Sequence, residues 1–100
     1  MFRRSADGVL TDADVERLQQ CLLAEPMAGV VIAGTGGARK LRLGIRGRGT
    51  RGGVRVIYFY HARAARVYLL LVYPKNAAGD LSVAGRRAVK DLISAIEQEA

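Results

Sequence analysis

The 100-residue chain holds one cysteine, so no internal disulfide can form, and a reducing compartment suits it. Nowhere do about 18 apolar residues run together, so no helical membrane span is expected. Residues 1–10, MFRRSADGVL, lack the apolar core of roughly 7–15 residues that a secretory signal carries. These absences lead us to expect a cytoplasmic protein with no membrane partner. The most informative absence is of acid: after Glu25 none occurs until Asp80. What is present is an apolar half of the composition, enough to argue against disorder, and a length that suits a single domain with one modest core.

The acid-free stretch holds ten bases, from Arg39 to Lys75, and so carries +10, which the −3 of the flanks reduces to the overall +7. A charge kept only for solubility mixes its signs. A zone of one sign acts as a steering field for a polyanion. Thirteen of the sixteen basic residues are arginine, whose planar fork suits phosphate. Nucleic acid is therefore the expected partner, with an acidic protein surface second.

Periodicity gives an α+β order. Residues 11–25 read as a helix capped by Thr11, with Val15, Leu18, Cys21 and Leu22 on its apolar face and Pro26 ending it. On this reading Cys21 is a small core residue. Residues 29–33, GVVIA, read as a short buried strand. The following Gly34-Thr35-Gly36-Gly37 has no Lys-Ser/Thr after it, so it is a turn and not a phosphate loop. Residues 38–45 alternate as a strand, 46–53 (RGRGTRGG) form a basic loop, and 54–60 and 66–73 are two more strands joined by HARAA. Asp80 or Ser82 caps a last helix running to about residue 98, with Val89, Leu92, Ile93 and Ile96 as its stripe and Gly85 weakening its first turn. The expectation is a small antiparallel meander of three to four strands, packed with an N-terminal and a C-terminal helix in one domain.

Register decides which side chains meet across the basic loop. If opposed residue numbers sum to an odd value, Leu41, Leu43, Ile45, Val54, Val56, Tyr58 and Tyr60 share one face. Lys40, Arg42, Arg55, Ile57 and Phe59 then share the other. A one-residue slip would bury Arg55 unpaired, at a cost of several kcal/mol, in a region without acids. The odd register is therefore expected, and it gathers Lys40, Arg42 and Arg55. A bound phosphate would relieve their repulsion; an ordinary solvated sheet face explains them equally well.

GTGGARKLR at 34–42, GRGTRGGVRVIYFYH at 47–61, YLLLVYPKN at 68–76 and DLS at 80–82 resemble the HigB branch of RelE/ParE-type toxins, over roughly residues 5–98. The combination is specific, whereas each piece alone is weak. The resemblance implies a RelE-like fold and a toxin of a type II toxin–antitoxin pair. It implies a ribosome-dependent mRNA endoribonuclease that uses no metal and no cofactor and is neutralised by a helix-turn-helix, HigA-like antitoxin. The ribose 2′-OH would attack the adjacent phosphate, leaving a cyclic phosphate and a free 5′-hydroxyl. Carried onto this chain, the basic pair two residues apart is Lys40 and Arg42, the arginine opening the next strand is Arg55, and the base ending the last strand is Lys75. Lys40 is the best general base, because a lysine among cations can give up its proton and an arginine cannot. Arg42 and Arg55 clamp the phosphate, and Lys75 is acid or charge stabiliser. Arg39, Arg46, Arg48 and Arg51 grip RNA backbone.

Two departures accompany the resemblance. RelE has a tyrosine near its C-terminus that takes part in cleavage. Here Asp80-Leu81-Ser82 stands in that region and no tyrosine follows Tyr73, so Tyr73 or Ser82 takes the role or the acid–base assignment differs. Members usually begin with a short strand before the first helix; here MFRRSADGVL stands almost at that helix, so either the strand is absent or the true start lies upstream. His61, the only histidine, lies six residues along the strand from Arg55, about 20 Å, and so outside a shared site. The alternatives are a ParE-like toxin that inhibits gyrase by binding protein, for which a converging phosphate site has no use, and a non-catalytic RNA- or ribosome-binding module.

Overall fold

The computed structural model describes residues 10–44, 53–74 and 81–99. Helix α1 (Asp12–Ala24) starts at Thr11, whose Oγ1 accepts from the Asp14 N–H at 3.1 Å while Asp14 Oδ2 accepts from the Thr11 N–H at 3.0 Å. This reciprocal cap satisfies two otherwise orphaned backbone donors. Arg17 extends the fixing: its Nη2 lies 3.4 Å from Asp14 Oδ1 and donates to Gly44 O at 2.6 Å, tying the first turn to the sheet. The helix buries Asp14, Leu18 and Leu22. Cys21 is exposed, contrary to the expected core position. The buried stripe is centred on Leu18, and at about 100° per residue Cys21 falls roughly 60° off it, on the rim.

One sheet of four strands follows in the order β1-β2-β3-β4, antiparallel throughout: β1 (Val30–Val31), β2 (Arg39–Leu43), β3 (Val54–His61) and β4 (Arg66–Pro74). The strand expected at 29–33 is only two residues long, and it is an exposed edge, not a buried strand, with Val30 71% and Val31 52% exposed. Its entry is held by Tyr58 of β3. The Tyr58 hydroxyl accepts from the Gly29 N–H and donates to Pro26 O, both at 2.8 Å. A Cβ at Gly29 would meet the Tyr58 ring at 2.8 Å and Lys40 O at 2.9 Å, so only glycine fits there. The turn after β1 uses Gly34, Gly36 and Gly37 at positive φ and is closed by buried Thr35, whose Oγ1 donates to Ile32 O at 2.6 Å and accepts from the Ala38 N–H. It is backbone geometry, as its sequence suggested.

The β2–β3 register pairs Arg39 with Tyr58, Leu41 with Val56 and Leu43 with Val54, which is the odd parity. One face of the sheet packs Leu43, Val54, Val56, Tyr58 and Val72 on Leu18 and Leu22 of α1. The other face is also covered. Helix α2 (Val83–Glu99) lays Val89 and Ile93 on Ala38, Ile57, Phe59 and Leu70. Each fully buried aliphatic side chain contributes roughly 1.5–3 kcal/mol, so both clusters hold the fold. A register shift between Ile57 and Tyr58 leaves Leu70 as an extra β4 residue. The result is an α+β domain with a four-stranded antiparallel sheet between an N-terminal and a C-terminal helix. Ser82 caps α2, its Oγ accepting from the Gly85 N–H at 3.0 Å. Asp80, the other candidate cap, lies outside the described residues, as do Ile45 and residues 1–9.

Candidate functional site

The odd register sets Arg42 directly opposite Arg55, and β4 brings Tyr73 to the other side of Arg55. Arg42, Arg55 and Tyr73 thus form one row across three strands on the α2 side of the sheet. Directly opposed residues have Cβ atoms about 4.5–5.5 Å apart. The next row holds Lys40, Ile57 and Leu71, two residues or roughly 6.6 Å along the strands. The sequence placed Lys40, Arg42 and Arg55 on one face, and the structure brings them there with Tyr73 added.

This face is not an open polar surface. Arg42 is exposed, Lys40 and Arg55 are half-buried, and Tyr73, also half-buried, packs on the apolar cluster under α2. Arg55 Nη1 and Tyr73 Oη are both buried without a hydrogen-bond partner among the described residues. A buried polar atom left unpaired costs about 1–3 kcal/mol, and two arginines directly opposed repel one another. An anion seated on the row would remove both penalties. The chemistry available is a guanidinium donor, a phenolic hydroxyl that can donate or accept, and a lysine amine on the adjoining row.

The other expected site residues fall elsewhere. Arg39 lies on the α1 face, and its Nη1 donates to Gly29 O at 2.7 Å and Met27 O at 3.3 Å, a brace for the β1 edge. Lys75, Arg46, Arg48 and Arg51 lie outside the described residues. Ser82 is committed to the cap of α2. His61 is 5% exposed at the far end of β3, its Nδ1 facing the Ala64 N–H at 3.3 Å and its ring edge-on to Phe59 at 5.9 Å. It ends β3 and braces the following turn, well away from the row. Among the described residues no three His, Cys, Asp or Glu side chains gather as a metal site.

One residue escaped the sequence reading. Arg86, in the first turn of α2, keeps its Nε buried and unpartnered while Nη1 reaches Ala33 O at 3.4 Å. The signal was available: Arg86 stands three residues before Val89 and seven before Ile93, on the apolar stripe of the helix.

No protein-family model matches the chain. Among the described residues no helix is long and apolar enough to cross a membrane.

Proposed function

We propose that this chain is a toxin of a type II toxin–antitoxin pair. On this reading it has a RelE-like fold of the HigB branch and acts in the cytoplasm as a ribosome-dependent mRNA endoribonuclease silenced by its helix-turn-helix antitoxin. The observation that carries the reading is the Arg42–Arg55–Tyr73 row, with Arg55 Nη1 and Tyr73 Oη buried and unpartnered beside a second arginine. Such a row suits the non-bridging oxygens of a phosphodiester, and it stands in a chain whose middle carries ten bases and no acid.

The chemistry follows from the row and Lys40, with Lys75 added by the resemblance. Lys40 takes the proton of the ribose 2′-OH. The 2′-oxygen bonds to phosphorus, and the bond from phosphorus to the 5′-oxygen breaks. Arg42 and Arg55 stabilise the charge that builds on the phosphorane oxygens, which is where fixed donors act most strongly. Tyr73 or Lys75 returns a proton to the departing 5′-oxygen, leaving a 2′,3′-cyclic phosphate and a 5′-hydroxyl. Tyr73 adjoins Arg55 directly, which favours it for that proton transfer.

The test is expression without the antitoxin, followed by primer extension on cellular mRNA. The wild-type chain should arrest growth and produce ribosome-phased cuts. Arg55→Ala should lower cleavage by at least about 100-fold, the scale on which a single transition-state donor acts, and it should leave thermal stability unchanged or raised. Arrest without mRNA cuts, accompanied by gyrase-linked DNA breaks, would point instead to a gyrase-directed toxin. Full activity in Arg55→Ala would remove the row as the site.

A further inference from the structure

At the opposite end of the sheet a cleft of about 460 Å³ is lined by Arg63, Ala64, Arg66, Tyr68, Ile96 and Glu99. Arg63 sits in the β3–β4 turn, Arg66 opens β4, Tyr68 follows two residues later, and Glu99 ends α2. We infer that this cleft is a nucleotide subsite for RNA: Arg63 and Arg66 hold phosphate, Tyr68 stacks the base, and the Glu99 carboxylate accepts from donor groups on the base edge, guanine fitting best. The inference deepens the RNA reading of the Arg42–Arg55–Tyr73 row and rests on it for the class of ligand.

Two exposed arginines on a hairpin turn are ordinarily solvated charge. Here four complementary groups line one concavity. Neither arginine makes an ion pair or a side-chain hydrogen bond among the described residues, although Glu99 borders the same cleft. Tyr68 is half-buried, packing on the cluster under α2 while it borders the cleft, so its ring is held and not swinging in solvent. A fixed aromatic ring beside basic side chains is the usual means of binding single-stranded nucleic acid, because every base has a face to stack and every link has a charge. The turn itself is strained. Ala65 has φ of 52°, a left-handed conformation that a residue with a Cβ disfavours, and its N–H bonds to Ala62 O at 3.2 Å. Non-glycine strain of this kind gathers at binding and catalytic sites.

The carboxylate sharpens the expected ligand. Alone, Glu99 opposes an anion, and it stands at the negative end of α2 with no basic residue in that helix's last turn. Opposite a base it becomes useful. A carboxylate accepts well from exocyclic amino groups, and guanine offers N1–H and N2–H₂ side by side to its two oxygens. Uracil has no amino group. The cleft therefore discriminates among bases, which a bare basic patch cannot do. It lies about 20 Å along β3 from Arg55, so it is a separate contact on the same RNA strand.

The experiment is a titration of the isotope-labelled full chain with guanosine 5′-monophosphate, uridine 5′-monophosphate and inorganic phosphate, followed by backbone amide shifts. Residues 63–68 and 96–99 should move saturably with guanosine monophosphate, at least about five-fold more tightly than with uridine monophosphate or phosphate. The double variant Arg63→Ala/Arg66→Ala should weaken the nucleotide at least about ten-fold, and Glu99→Gln should narrow the preference for guanine while keeping uridine monophosphate. Equal affinity for all three ligands, or shifts absent from residues 63–68, would overturn the inference. So would a double variant that loses thermal stability yet binds guanosine monophosphate as before, since the arginines would then only offset the helix end. The two readings separate cleanly. Failure of the cleft leaves the Arg55→Ala cleavage result untouched, and a cleft that takes guanosine monophosphate beside a fully active Arg55→Ala variant sinks only the row.

Discussion

Tyr58 and Tyr73 stand on neighbouring strands and face opposite sides of the sheet, and their hydroxyls are treated differently. Tyr58, fully buried under α1, both accepts and donates at 2.8 Å, joining β3 to the turn at 26–29. Tyr73, on the α2 side, has its hydroxyl buried with no partner, next to an arginine nitrogen in the same condition. Nearly all buried polar groups in folded proteins are paired. The α1 face obeys that rule down to Asp14, whose carboxylate caps the helix. The α2 face holds all three exceptions found among the described residues: Arg55 Nη1, Tyr73 Oη and Arg86 Nε. The contrast separates two kinds of design. One side of the sheet pairs its buried polar groups; the other packs a core that leaves three buried polar atoms without a partner among the described residues.

The comparison assumes that both faces are packed, and this is where the largest effects lie. Leu18 of α1 and Ile93 of α2 are each no more than 1% exposed. Truncating either to alanine should cost about 2–5 kcal/mol, measured by urea unfolding. An Ile93→Ala variant that loses well under 1 kcal/mol would mean that α2 is only loosely seated, and the unpaired groups beneath it would need no ligand.

The two tyrosines test the contrast itself. Tyr58→Phe strands the Gly29 N–H and Pro26 O and should cost about 1–3 kcal/mol. Tyr73→Phe removes a hydroxyl with no partner among the described residues and should be neutral or mildly stabilising, while lowering RNA cleavage. Equal losses from both substitutions, read as Tm in the same buffer, would show that the Tyr73 hydroxyl has a structural partner.

Much of this arrangement was legible in the chain. The alternation of Leu41 and Leu43 against Lys40 and Arg42 was enough to choose the β2–β3 register; the cost of burying Arg55 was not the deciding term, because α2 covers its face as well and Arg55 Nη1 is buried there. Thr11 marked the first helix start through its own cap chemistry; for the second, the sequence offered Asp80 or Ser82, and Ser82 holds the cap. Three features were not legible, each because it depends on contacts distant in sequence. Cys21 has helical spacing with the core residues, yet which edge of a stripe is buried depends on what the sheet places against it. Val30 and Val31 look like interior residues, but burial would need a neighbour beyond the sheet edge, and none appears among the described residues. The unpaired state of Arg55 and Tyr73 is a fact about their surroundings. The sequence offered them as candidates only through charge clustering and the toxin resemblance.

The smallest effect tests the row at its exposed end. Arg42 faces Arg55 across the β2–β3 ladder, and like charges directly opposed cost about 0.2–1 kcal/mol. Arg42→Gln should therefore stabilise the free protein by a few tenths of a kcal/mol at low salt. The gain should shrink as salt rises, since the exposed end of the pair is screened within about 10 Å at 0.1 M. The same substitution removes one phosphate contact, so RNA affinity should fall and the log–log salt slope should flatten by about 0.7. The two effects have opposite signs because one arrangement of charge is unfavourable in the empty protein and favourable with an anion bound. A variant with lower affinity for RNA but no salt-dependent gain in stability would place Arg42 on the anion's path without facing Arg55, and the row would shorten to Arg55 and Tyr73.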